Sequence, residues 1–240
     1  MNILRKLYCR SFQTVFRIAL PFLPYRKPKI LGSVKALPEI LLKRKYNHVL
    51  IITDEGIMKL GLTKRLEKVL SENNIKYTIY DKTVANPTTK NVAEAMDLFL
   101  SNNCNAIIGF GGGSSMDCAK AVGAKIAKPK QSLAKMKGIL KVHKRIPLLI
   151  AVPTTAGTGS ETTLAAVITD AETRHKYAIN DFPLIPRYAI LDPKVTLSLP
   201  PFITATTGMD ALTHAVEAYI GNSTTYGTRM DALKAVELDR

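Results

Sequence analysis

Tryptophan is absent from the 240 residues, and only three cysteines occur, Cys9, Cys104 and Cys118. An odd number cannot pair off, and no CxxC is present to hold zinc or run disulfide exchange. These absences point away from a disulfide-built secreted domain and toward a reducing, cytoplasmic setting. No run approaches the ~18 apolar residues of a membrane-spanning helix, and no small-residue cleavage site follows a clean apolar core. Acidic residues are scarce: the first is Glu39, and 34 Lys+Arg stand against 19 Asp+Glu, a formal charge of +15. Such a charge suits nucleic acid or a membrane surface. The basic residues are scattered, however, and no nucleic-acid-binding motif accompanies them. Lysine that attracts an anionic cofactor, or an acidic portion of the protein lying elsewhere, accounts for the excess.

What is present reads as a globular protein, with 46% hydrophobic and 22% charged residues. Residues 1–29 form a basic extension with Arg5, Lys6, Arg10 and Arg17, and Ile3, Leu4, Leu7, Val15, Ile18 and Leu20 lie partly on one helical face. Two readings stay open there: a transit or membrane-surface helix, or a helix packed on its own domain or on a partner subunit. Pro21, Pro24 and Pro28 end it. From Ile30 strands and helices alternate. LPEILLKRKY, IMKLGLTKRLEKVLSENN and TTKNVAEAMDLFLSNN read as helices; HVLIIT (48–53), IKYTIY (75–80), NAIIGF and PLLIAV (147–152) read as strands. That alternation predicts a mostly parallel sheet with helices on both faces. Residues 128–146 are Lys-rich and loop-like; TTLAAVITD and HKYAIN then predict a hairpin about 170–174, and RYAILD a further strand. Near residue 195 the character turns helical, in PPFITATTGMDALTHAVEAYIG and TTYGTRMDALKAVELDR. The last helix has no stop signal, so the chain reads as cut.

Four places along the chain carry chemistry. In NAIIGFGGGSSMDCAKAVGAKIA (105–127) a strand meets three glycines and then a helix, an arrangement that cradles phosphate on backbone N–H groups. Ser114 and Ser115 are expected as N-caps that compete with a ligand for those groups. The Rossmann G-x-G-x-x-G is not met and the Walker lysine is missing. Asp54 closes HVLIIT at its carboxyl end, either as a ribose acceptor that repels a 2′-phosphate, favouring NAD over NADP, or as the N-cap of the next helix. In PTTAGTGSET (153–162), Thr154, Thr155, Thr158 and Ser160 make a hydroxyl-rich loop that suits pyrophosphate or ribose; without G-x-S-x-G it is no nucleophile elbow. Asp210 and His214, i and i+4, give one helical face two ligands for a borderline ion, Fe(II) or Zn(II). A catalytic ion takes three or more, and His48, His143 and His175 offer no obvious third.

GGGSSMDCAKAVG, PTTAGTGSE and TGMDALTHAVEAYI, in this order and spacing, closely resemble the motifs of the iron-containing (group III) alcohol dehydrogenase family, over Ile30 to the last residue. The resemblance implies an α/β fold: a Rossmann-like, parallel-sheet dinucleotide-binding domain over 30–194, then the start of an all-helical metal-binding domain over 195–240. It implies that Asp54 contacts the adenosine ribose, that Asn86 lines the cleft, and that Gly112, Gly113, Ser114 and Ser115 hold the pyrophosphate. Thr154, Thr155, Thr158 and Thr163 would sit near the phosphates and nicotinamide, with Lys176 close by, and Asp210 and His214 would be the first two metal ligands. The family draws two further histidines from later helices, beyond these residues. The expected activity is NAD-dependent, metal-assisted interconversion of a small alcohol and its aldehyde or ketone, in a homodimer or larger homo-oligomer. The alternative is a truncated, inactive dinucleotide-binding remnant.

Overall fold

The computed structural model describes residues 3–19, 22–197 and 199–238. Leu20 and Pro21, expected to continue and end the first helix, lie outside the described residues, as do the side chains of Ile3, Leu4, Arg5 and Arg17. Two compact units divide the chain: 26–155 with 159–199, and 1–25 with 156–158 and 200–240.

The larger unit is built on a parallel sheet. Its strands are β1 (Lys29–Leu31), β2 (His48–Ile52), β3 (Lys76–Tyr80), β4 (Ala106–Gly111), β6 (Leu148–Pro153) and β9 (Tyr188–Ile190), in the order β1-β9-β6-β4-β2-β3. The register sets Val49 beside Ala106 and Ile52 beside Gly109, and carries on from Gly109 to Ala151. Side chains alternate across a strand, so Leu50 and Ile52 join one apolar cluster while Val49 and Ile51 join another. The first cluster takes Val92, Ala95 and Phe99 of α5 (Thr89–Ser101) and Cys118, Ala119 and Val122 of α6 (Gly113–Ala127). The second takes Leu37 and Leu41 of α2 (Leu37–Lys43) and Leu66, Val69 and Leu70 of α4 (Lys64–Glu72). Helices thus cover both faces, which explains why these strands read as continuous apolar runs. A smaller sheet holds β5 (Gly138–Ile139), β8 (Lys176–Asn180) and β7 (Ala165–Thr169). β7 and β8 form the expected antiparallel hairpin. Its turn is closed by the Asp170 carboxylate, which accepts from the Glu172 and Thr173 amides at 3.0 and 2.9 Å.

Two local expectations are corrected. IMKLGLTKRLEKVLSENN is not one helix: it breaks into α3 (Glu55–Lys59) and α4, with Gly61 at φ +66° between them. Glycine adopts that conformation without a Cβ clash and so stops the first piece. Ser114 and Ser115 are not N-caps, because the strand runs on to Gly111 and the helix opens at Gly113, leaving the cap position to Gly112.

The smaller unit contains α1 (Ile3–Ala19), α7 (Pro201–Ile220) and α8 (Tyr226–Leu238). In α1 the apolar Leu7, Val15 and Ile18 are exposed. Pro200 and Pro201 open α7, where a missing N–H costs nothing. Against α7, a Cβ on Gly157, at φ +146°, would run into the Thr207 carbonyl oxygen, so glycine alone allows that approach. Among the described residues no helix is long and apolar enough to cross a membrane.

Candidate functional site

The carboxyl ends of β2, β4 and β6 lie side by side, and the chain leaves β2 toward β3 on one flank and returns to β4 on the other. Such a switch point opens a crevice where parallel sheets bind ligands. Asp54, the glycine turn and Thr154 follow these three strands directly, which is why residues a hundred positions apart in sequence meet here.

At the centre is the first turn of α6. Its leading N–H groups have no partner within the helix, and Gly112 supplies no side-chain cap. No acidic residue stands in that turn, so the positive end of the helix dipole is unopposed by its own side chains. A Cβ on Gly112 would meet nothing nearer than Thr155 Cγ2 at 3.7 Å, so the protein leaves room over the turn. Gly111 differs. At φ +143° its Cβ would lie 2.6 Å from Ser115 Oγ and 3.4 Å from Asp54 Oδ2. Beside the turn, Thr155 Oγ1 is buried without a hydrogen-bond partner, a deficit of about 1–3 kcal/mol that a polar ligand would remove.

The flanking groups converge on the same turn. Asp54 is the N-cap of α3, accepting from the Ile57 amide at 3.0 Å on one oxygen, while Ser115 Oγ approaches the other at 3.4 Å. The cap role is thus observed, and a second carboxylate oxygen faces the turn. Asn86, at φ +57°, donates its backbone N–H to Ser114 Oγ at 3.3 Å and accepts from Lys176 Nζ on its side chain. The Thr154 amide donates to the Gly111 carbonyl at 3.0 Å, pinning the threonine loop to the strand end. A pyrophosphate fits this donor set: uncapped amides, hydroxyls, one ammonium and open room.

Thr163 is engaged differently. Its hydroxyl accepts from Lys120 Nζ at 2.9 Å. Lys120 is fully buried and forms a cluster with Asp117 and Ser160; the sequence offered Ser160 as a loop hydroxyl for a ligand and gave Lys120 and Asp117 no role. Ser160 Oγ accepts from Lys120 at 3.0 Å and donates to Asp117 Oδ1 at 3.0 Å. Burial lowers the Lys120 ammonium to about 8, opposed by Asp117 and Glu161. It also raises the Asp117 carboxyl, against the pull of Lys120, the Val167 N–H and the Ser160 hydroxyl. The available signal was a lysine among the small and apolar positions of MDCAKAVGA, where Met116, Cys118 and Ala119 are all buried.

In the smaller unit, Asp210 and His214 share one face of α7, with Nε2 and Oδ1 3.9 Å apart and both side chains about half exposed. Metal bonds of about 2.0–2.2 Å put two donors of one ion no more than about 4 Å apart, so the pair fits one side of a coordination sphere. Among the described residues no group of three or more His, Cys, Asp or Glu side chains forms a metal cluster. Thr158 belongs to this smaller unit, whereas Thr154, Thr155 and Thr163 belong to the larger one.

A sequence model of the family described as "Iron-containing alcohol dehydrogenase" matches residues 30–193, more than half of the chain. "Alcohol dehydrogenase 4" of Schizosaccharomyces pombe is 43% identical over 194 residues, which are 80% of this chain and 46% of that protein. A solved 1,3-propanediol oxidoreductase superposes with a TM-score of 0.85 at 33% identity, covering 90% of this chain and 57% of its own. A sulfoacetaldehyde reductase from Bifidobacterium kashiwanohense, solved in complex with NAD+, superposes with a TM-score of 0.79 at 29% identity, over 90% of this chain and 58% of its own. The chain spans about half the length of the curated relatives it matches. By sequence, by fold and by the glycine turn at its sheet edge, the chain belongs to the iron-containing alcohol dehydrogenase family.

Proposed function

We propose that these residues form the dinucleotide-binding portion of an NAD-dependent, divalent-metal-assisted alcohol dehydrogenase that interconverts a small alcohol with its aldehyde or ketone. The observation that carries the reading is the uncapped first turn of α6, with Asp54 and the orphaned Thr155 hydroxyl beside it. Relatives support it: one is named an NAD-dependent methanol dehydrogenase, and one solved neighbour was crystallised with NAD+.

In this reading 30–194 is the cofactor domain and 195–240 begins the metal-binding domain. The amides of Gly113, Ser114 and Ser115 receive the pyrophosphate, with Gly112 leaving room for it. Asp54 accepts a ribose hydroxyl and, as a carboxylate, rejects a 2′-phosphate. Asn86 and Lys176 flank the phosphates, while Thr154, Thr155, Thr158 and Thr163 line the nicotinamide side. Asp210 and His214 hold one side of Fe(II) or Zn(II). When bound, NAD would supply the hydride acceptor and the ion a Lewis acid for the substrate oxygen. The chain's own share is orientation, which sets the reacting carbons within contact of each other. Cys9, Cys104 and Cys118 are all free thiols, which goes with a reducing, cytoplasmic setting.

A second reading is that these residues bind the cofactor without turnover; among the described residues Asp210 and His214 supply two donors. Titration of the chain with NADH, followed by aldehyde reduction in the presence of Fe(II) or Zn(II), separates the two. Binding with turnover supports the dehydrogenase, and binding alone supports the second reading. Absence of both overturns the cofactor assignment.

A further inference from the structure

Three arginines gather at the amino edge of the main sheet. Arg26, Arg187 and Arg145 stand just before β1, β9 and β6, which are neighbouring parallel strands in that order. Parallel strands start on one edge, so the three residues share it. Arg26 is tied to the approach to β9, donating from Nη2 to the Ile185 carbonyl. Burial, and then the charges of Arg187 and Arg145, lowers its guanidinium, which places all three charges within reach of one another. Arg145 and Arg187 are exposed, so solvent reaches the cluster.

Among the described residues no carboxylate pairs with any of the three. Arg26 Nε is buried without a hydrogen-bond partner, a deficit of about 1–3 kcal/mol. The sequence around them is also poor in acid: none precedes Glu39, and none lies between Asp117 and Glu161. The two acids that flank Arg187 are engaged elsewhere. Asp181 accepts from the Val142 and His143 amides at 2.7 and 2.9 Å, and Asp192 pairs with Arg65 at 2.9 Å. Nor does a helix end oppose an anion here. β2, β3 and β4 follow the carboxyl ends of α2, α4 and α5, where the dipole is negative. β1, β9 and β6 are entered instead from the irregular segment 24–28, the 3-10 turn Phe182–Leu184 and the irregular segment 141–147.

We propose that Arg26, Arg145 and Arg187 form an anion site that takes a phosphate group. Guanidinium forks match phosphate oxygens in pairs. A phosphate brings up to two charges and three acceptor oxygens, against one charge and two oxygens on a carboxylate. The site does not rest on the dinucleotide reading. The glycine turn follows the carboxyl ends of the strands, and the six residues of β6 alone separate the two edges by about 20 Å. The phosphate belongs either to a soluble molecule or to a lipid headgroup.

The test uses the full chain without NADH. Inorganic phosphate is titrated while backbone amide and arginine Nε–H resonances are followed, with chloride and acetate at equal ionic strength as controls. We expect saturable shifts at Arg26, Arg145 and Arg187 that the controls do not reproduce. Arg145→Gln and Arg187→Gln keep the strand hydrogen bonds, and each should weaken binding about tenfold, the loss of one charge-assisted hydrogen bond. Sedimentation with phosphatidate vesicles, against phosphatidylcholine vesicles, separates the two sources. Saturation by free phosphate assigns a soluble ligand. Vesicle binding that both variants lose, with no response to free phosphate, assigns a headgroup. Shifts that chloride or acetate reproduces, shifts confined to the glycine turn, or wild-type affinity in both variants overturn the proposal, as does the absence of phosphate and vesicle binding alike.

Discussion

The ammonium of Lys176 donates to the side-chain carbonyl of Asn86 at 2.6 Å, across 90 residues of sequence. Asn86 in turn donates its amide to Ser114 in the first turn of α6. A positive charge is therefore held two hydrogen bonds from the uncapped helix end. Lys176 is itself exposed, so Lys176→Met is expected to leave the melting temperature nearly unchanged. NADH binding should weaken on the order of tenfold, the low end for a lost charge–phosphate contact. Affinity equal to wild type would remove Lys176 from the site.

Gly111 and Gly112 are adjacent but not equivalent. An alanine at Gly111 would carry φ +143° and drive its Cβ into Ser115 Oγ, which should destabilise the fold by about 1–3 kcal/mol. Gly112 has φ −78° and open space around its Cβ position. Gly112→Ala should therefore keep the wild-type unfolding midpoint while its methyl group crowds the anion position and weakens NADH binding. Denaturant melts beside fluorescence titrations check both, and equal effects of the two variants on stability would contradict this division.

The strand–turn–helix pattern of 105–127 was legible because each part is local: an apolar run, glycines and an alanine-rich helix occur within one stretch. The Asp210–His214 pair was legible for the same reason, since i,i+4 spacing fixes a shared face. What escaped was context. The serines looked like caps because their chemistry suits the role, yet the ladder from Gly109 to Gly111 beside Ala151 to Pro153 extends the strand and hands the cap to Gly112. Lys120 was unreadable for a different reason. A lone lysine on a helix is expected to face water, and the acceptors that allow its burial, Ser160, Thr163 and Ala165, come from 40 to 45 residues on. Long-range satisfaction of a buried charge leaves no local signature.

Burial of Lys120 also fixes how stability responds to alkali. The lysine titrates at about 8 in the folded chain and near its ordinary 10.5 when unfolded. Below about 8 both states hold the proton and the group contributes no slope. Between the two values the unfolded state binds more protons, so stability rises with pH. Relative to Lys120→Met, which has no such proton, the wild type should gain on the order of 3 kcal/mol from pH ~8 to pH ~10.5. Denaturant unfolding at a series of pH values measures the difference. A constant offset between the two proteins would mean that Lys120 titrates near 10.5 in both states.

Asp54 carries two roles that a single substitution can separate. Its Oδ1 caps α3 through the Ile57 amide, and Oδ2 faces Ser115 at the glycine turn. Asparagine caps helices about as well as aspartate, whereas alanine loses about 0.5–2 kcal/mol. Asp54→Asn should therefore keep the stability of the wild type while removing the negative charge that we propose lies beside the cofactor's ribose. If that charge is what rejects a 2′-phosphate, the asparagine variant will bind NADPH more tightly, with the ratio of NADPH to NADH affinity rising on the order of tenfold. Asp54→Ala should show the same shift in preference together with the loss of stability. An unchanged NADPH-to-NADH ratio in both variants would reduce Asp54 to its cap, and cofactor choice would then have to come from other residues at the carboxyl edge of the sheet.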